Sequence, residues 1–153
     1  MEAKKTYQVF RFESEVRWKS GRRGVVCSSG KPEIEVSSPP EFKGETGIWT
    51  PEDMFVASVN VCTLMTFAAF AQNKGLDVAA YESDAEGVLE FHEGNYRFTE
   101  ILLHPHIMVK SQDDVATARE LIESAHKKCL ITNSITAQVK VFPDFRVAPS
   151  AGL

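Results

Sequence analysis

Thr50-Pro51-Glu52-Asp53-Met54-Phe55-Val56-Ala57-Ser58-Val59-Asn60-Val61-Cys62-Thr63-Leu64-Met65-Thr66-Phe67-Ala68-Ala69-Phe70 is the stretch around which the rest of this chain must be arranged. It opens with strong helix-start chemistry. Thr50 suits the N-cap, Pro51 the first helical position, and Glu52 and Asp53 the positive end of the helix dipole. The helix is expected over 51–74, stopped by Gly75. It is apolar on nearly every side, so it needs cover all round. Ser58, Asn60, Thr63 and Thr66 interrupt the apolar run, which reads as a buried core helix and not a membrane span. One sheet and one further helix leave such a segment incompletely covered, and a homodimer would supply the remainder.

Outward from this helix the chain alternates between strand and helix signals. Aromatic and β-branched residues over 6–19 predict one or two strands, followed by the Ser20-Gly21-Arg22-Arg23-Gly24 turn. Val25 to Ser28 and Glu33 to Ser37 predict more, completing N-terminal strands over 6–37, and Ser38 to Trp49 reads as a loop. Residues 78–92 and 96–110 form a long hairpin over 78–110 around Glu93-Gly94-Asn95. Pro105 points to an edge or a bulge in its second arm. Val115, Ala118, Ile122, Ala125 and Cys129 share one face of a helix over 113–129. A final strand is expected over 134–142 and a tail over 143–153. The order implies a single α+β domain, 1–153, with antiparallel sheets and a buried central helix.

The 153 residues are 43% hydrophobic and 25% charged, an ordinary globular balance with room for one core. A net charge of −4 without a basic run gives no footing for nucleic acid. No signal peptide is visible behind Met1, and three unpaired cysteines fit a reducing cytoplasm. The expected partners are therefore a second copy and small molecules, not nucleic acid or membrane.

Cys62 and Cys129 carry the candidate chemistry. They are too far apart in sequence for a zinc knuckle. They fit either a nucleophile with its resolving thiol or two small core hydrophobes. Cys62 is about three turns into its helix, beyond help from the dipole, so reactivity there requires a cation brought from elsewhere. Arg22 and Arg23 are the best candidates by type, although a hairpin-tip arginine is most often only solvated. Glu52 is either a helix-start acid or the partner of that arginine. It precedes Cys62 by ten residues, a rise of about 15 Å, so it can serve the Cys62 site only from the antiparallel helix of a second subunit. Cys129, at a helix C-terminus, is the poorer first nucleophile because the dipole disfavours its thiolate. Cys27 reads as a strand hydrophobe. A metal site from His126, Cys129, His104 and His106 lacks any paired-cysteine signature.

Two motifs together, Thr50-Pro51-Glu52-Asp53-Met54-Phe55 with Cys62, and Ser124-Ala125-His126-Lys127-Lys128-Cys129-Leu130-Ile131-Thr132-Asn133-Ser134, resemble the OsmC/Ohr family of osmotically inducible and organic-hydroperoxide-resistance proteins. The likeness runs from about Arg17 to Phe142. Leu130 departs from the family's usual proline, and Phe98-Thr99-Glu100-Ile101 with Pro105 looks like a less characterised branch. The resemblance implies an OsmC-like fold, an intertwined homodimer with sites between subunits, and a cytoplasmic cysteine peroxidase. It reduces organic hydroperoxides without a cofactor or metal and is recycled by an external dithiol. By position Cys62 matches the peroxidatic cysteine, Cys129 the resolving cysteine that forms a disulfide with it, and Glu52 the glutamate that orients the catalytic arginine, matched by Arg22. A non-enzymatic dimer that binds a hydrophobic ligand or senses oxidation is the alternative.

Overall fold

The computed structural model describes residues 3–150. The chain divides after Asp53 into two compact units. In the first, β1 (Glu15–Ser20), β2 (Arg23–Cys27) and β3 (Ile34–Ser37) form an antiparallel sheet in that order. The expected strand does not extend over 6–14. No strand pairs with that stretch among the described residues, although the Ser28 hydroxyl donates to Glu13 O at 3.0 Å, and Tyr7, Val9, Phe10 and Phe12 are exposed. The loop after β3 contains a 3-10 turn, Pro40–Phe42, and closes where the Ser37 N–H donates to Trp49 O at 2.9 Å. Thr50 and Asp53 then form a reciprocal cap. The Asp53 N–H donates to Thr50 Oγ1 at 3.1 Å, and Asp53 Oδ2 accepts from the Thr50 N–H at 3.0 Å. Such a cap contributes about 1 kcal/mol.

Helix α1 (Pro51–Lys74) begins at that cap and continues through the second unit. It ends as its sequence requires, the Leu76 N–H donating to Ala71 O (2.9 Å) and the Gly75 N–H to Gln72 O (3.2 Å), with Gly75 at φ 73°. By length and composition α1 would suffice to cross a membrane. Several of its polar residues are hydrogen-bonded. Thr63 and Thr66 donate to carbonyls four residues back, and Asn60 Nδ2 donates to Ser83 O at 3.1 Å.

The second unit is built on the hairpin of β4 (Val78–His92) and β5 (Asn95–Val109), with α2 (Asp114–Lys128) following. Two short strands, β6 (Gln138–Val141) and β7 (Asp144–Val147), both run parallel to β5 on the side away from β4. The sheet is therefore mixed. β7 lies in the expected tail, because Pro143 interrupts the chain without ending the pairing. Pro105 is neither at an edge nor at a bulge: it is buried in central β5, opposite Ser83. Leu103 O and Val109 O both accept from the β6–β7 side, from Phe142 and Ala148. Alternation places the missing Pro105 N–H on that side too. There the neighbour changes from β6, ending opposite Leu103, to β7, starting opposite His106, so no ladder bond is lost.

One face of β5 carries the core. Ile107 and Val109 pack with Phe67 and Ala71 of α1 and with Ala118, Ile122 and Ala125 of α2. Ile101 and Leu103 pack with Val59 of α1 and Ala137 and Val139 near β6. Gly87 of β4 permits the close approach of α1. A Cβ there would sit 2.5 Å from Val56 Cγ2 and 2.8 Å from the Phe98 ring, which stacks on Phe55.

Candidate active site

Cys62 is half-buried midway along α1, and Cys129, at 0% exposure, terminates α2. Both are free thiols, and they are neighbours: the Cys62 thiol is one of the groups that act on Cys129. The backbone turns extended at Cys129 (φ −60°, ψ 123°) and re-enters a 3-10 turn over Thr132–Ser134. That reversal brings the Thr132 N–H to Cys129 Sγ at 3.4 Å. Burial pushes the Cys129 thiol up. The influence of the neighbouring Cys62 thiol, the Thr132 hydroxyl and the backbone N–H groups of Thr132 and Ile131 outweighs it and leaves the group below its ordinary range.

The dipole argument from sequence thus gives an incomplete account of Cys129. It weighs the carbonyl end of α2 and misses the N–H groups that return from the following turn. Thr132 and Ile131 are the site residues that sequence reasoning overlooked. A hydroxyl residue three positions after a helix-ending cysteine is the signal that was available.

The other candidates are placed as follows. Glu52 lies in the first turn of α1, and its Oε2 is buried without a hydrogen-bond partner among the described residues. Arg22 is exposed in the two-residue turn between β1 and β2. Arg23, in β2, pairs with Glu45 at 3.1 Å, while its buried Nε has no hydrogen-bond partner among the described residues. Arg17 is held by Glu33 and Glu15 and places Nη1 3.5 Å from Cys27 Sγ, so Cys27 is a half-exposed strand-end thiol and not a core hydrophobe. The arginines of the second unit are engaged elsewhere: Arg97 with Thr136, Arg119 over the Phe145 ring and Arg146 with Asp144.

His126 is partly buried on α2, its Nδ1 without a hydrogen-bond partner among the described residues. His104 stacks on Phe142, and His106 lies between Asp84 and Asp144. Among the described residues no three histidine, cysteine or carboxylate side chains are grouped to hold a metal ion.

A family model described as OsmC-like protein matches residues 44–142. The chain is 28% identical over 134 residues to YmaD of Bacillus subtilis, covering 85% of this chain and 89% of that one. Among solved structures it is similar to an OsmC-like protein of unknown function from Vibrio cholerae, with a TM-score of 0.81 at 22% identity over 88% of this chain and 99% of that one. It is also similar to an organic hydroperoxide resistance protein OsmC from Legionella pneumophila, with a TM-score of 0.71 at 24% identity over 92% and 100%. A third likeness is to an organic hydroperoxide resistance protein from Elizabethkingia anophelis, with a TM-score of 0.72 at 20% identity over 94% and 100%. At these identities the solved structures bear on the fold.

Proposed function

The chain belongs to the OsmC-like family, and from that premise we propose that it is a thiol-dependent peroxidase acting on organic hydroperoxides. The observation that carries this reading is the adjacency of the Cys62 and Cys129 thiols, one half-buried and the other fully buried. Two structural relatives carrying the name organic hydroperoxide resistance protein support the choice of substrate class. Cys62 is the more accessible sulfur and acts first. Its thiolate attacks one oxygen of the hydroperoxide; the S–O bond forms, the O–O bond breaks, and the alkoxide leaves as the alcohol after taking a proton. Cys129 thiolate then attacks the sulfur of the Cys62 sulfenic acid, forming the S–S bond and expelling hydroxide, which leaves as water. An external dithiol reduces the disulfide.

Cys62 needs a cation, and the second unit's own arginines have other partners. Arg22 is assigned that role, with Glu52 holding it; the unpartnered Glu52 Oε2 supports a carboxylate awaiting a donor. A homodimer that completes both the cover of α1 and the site is part of this reading, as is a reducing, cytoplasmic setting for the free thiols.

The test is consumption of cumene hydroperoxide with dithiothreitol as reductant, with mass spectrometry of the trapped protein. Turnover, a Cys62–Cys129 disulfide, and loss of both in Cys62→Ser are expected. Oxidation confined to Cys27, with no turnover, would sink the peroxidase. A second reading, a dimer that binds a largely apolar ligand, is favoured by a cavity of about 560 Å³ lined by Leu64, Phe67, Leu76, Val78 and Tyr81, with Gln72 and Asp77 adding polar groups. Saturable binding of an apolar fluorophore there, without turnover, would establish it.

A further inference from the structure

The turn after Cys129 is fixed by bonds that do not involve the Thr132 side chain. The Asn133 N–H donates to Cys129 O (3.0 Å), the Ser134 N–H to Ile131 O (2.9 Å) and Ser134 Oγ to Leu130 O (2.7 Å). Within this locked loop the Thr132 N–H meets Cys129 Sγ at 3.4 Å. Thr132 Oγ1 is buried and has no hydrogen-bond partner among the described residues. A buried hydroxyl without another partner is costly, and its proton is free for sulfur.

We propose that Thr132 is a positioning residue for the resolving step: its N–H holds Cys129 Sγ, and its unpartnered hydroxyl donates to that sulfur once it is a thiolate ready to attack an oxidised Cys62. The proposal rests on the peroxidase reading and goes beyond it by assigning what prepares the second thiol. A resolving cysteine reacts as thiolate, yet this one is wholly buried, where a thiol ordinarily stays protonated. Two donors at fixed positions offset that cost. The step they serve is the one written above: Cys129 sulfur bonds to Cys62 sulfur, the Cys62 S–O bond breaks, and water departs. A slow resolving step leaves the sulfenic acid open to a second hydroperoxide molecule, which oxidises it to sulfinic acid and is itself reduced to the alcohol.

The test uses Thr132→Val, which removes the hydroxyl and keeps the shape and the backbone N–H, with Thr132→Ser as the conservative rescue. In the Cys27→Ser/Cys62→Ser background, thiolate ultraviolet absorbance followed against pH titrates Cys129 alone. Thr132→Val should move its midpoint up by about one unit, which lowers the thiolate fraction about tenfold on the acid side of the midpoint; Thr132→Ser should restore it. In the Cys27→Ser protein, after a pulse of cumene hydroperoxide, Thr132→Val should slow conversion of Cys62 sulfenic acid to disulfide by a similar factor. It should also raise the sulfinic fraction and displace the pH profile of that step upward. Titrations and resolving rates that coincide with those of the parent would overturn the role of Thr132. If the parent's Cys62 is not oxidised at all, the peroxidase reading fails, and the titration still decides whether Thr132 governs Cys129.

Discussion

Helix α2 buries Ala118, Ile122 and Ala125 against β5 and turns Glu120, Glu123 and Lys127 outward. Helix α1 lies on the same face of the same strand and buries Val59, Thr63, Phe67 and Ala71, one row at four-residue spacing. Its opposite side is not polar. Val61 is 53% exposed and Met65 57%. A helix with one apolar stripe is finished by one sheet, whereas a helix that is apolar all round is not. The difference teaches which helix the chain covers by itself and which it leaves with an exposed apolar side, the side on which the proposed second copy would pack. It also bears on the cysteines: the fully buried one terminates the finished helix, and the half-buried one sits in the unfinished helix.

The sharpest way to break this contrast is to place a charge on each helix's outer face. Val61→Glu/Met65→Glu should convert a dimer at micromolar concentration into monomer, because an obligate apolar interface does not accept buried unpaired carboxylates. Glu120→Lys on α2 should leave assembly unchanged. Sedimentation velocity reads both. A wild-type protein that sediments as a stable monomer would remove the need for any cover on α1.

Next in size are the two buried faces themselves, where the helices should behave alike. Phe67→Ala on α1 and Ile122→Ala on α2 both empty fully buried positions in one cluster. Each should cost about 2–5 kcal/mol in urea unfolding. The two residues share neighbours, so the double variant should not be additive. A much smaller loss for Phe67→Ala than for Ile122→Ala would mean that the stripe of α1 is not the core contact described here.

A subtler probe is the spacing between α1 and the sheet. Gly87→Ala should destabilise by about 1–3 kcal/mol, since the new methyl must displace Val56 and a Phe98 ring already stacked on Phe55. Nothing comparable is expected at Asp84 on the same strand, whose side chain is exposed. Equal, negligible effects at both positions would show that α1 yields easily.

Much of this arrangement was legible in the sequence, for identifiable reasons. The limits of α1 are local: Thr50, Pro51 and Asp53 at one end, Gly75 at the other, so 51–74 was readable residue for residue. The hairpin was readable because strand signals flank Glu93-Gly94. What depended on a neighbour was not. Residues 6–14 have strand composition, but no strand pairs with them among the described residues. Pro105 was misplaced because tolerance of its missing N–H depends on where β6 gives way to β7. At the site, the pairing of the two cysteine motifs came from family likeness, and no local rule foretold the adjacency of the thiols. The donors from Ile131 and Thr132 were missed because a dipole argument stops at the end of its helix.

The smallest expected effect concerns His126, a titratable group that α2 partly buries. Burial lowers His126 below its ordinary value; Glu123 opposes that shift and Lys127 adds to it. The folded protein therefore holds His126 neutral under conditions where the unfolded chain takes up a proton. The sign follows: stability is full above about 6.5, the unfolded value, and falls as pH drops from there to the depressed folded value, below which this group contributes no further loss. His126→Gln should flatten that part of the profile and leave the rest in place. Urea midpoints for wild type and variant between pH 7.5 and 5 provide the check, the difference between the two curves cancelling every other group. Parallel curves would mean that His126 is as well solvated in the folded state as in the unfolded, and that α2 buries only its apolar face.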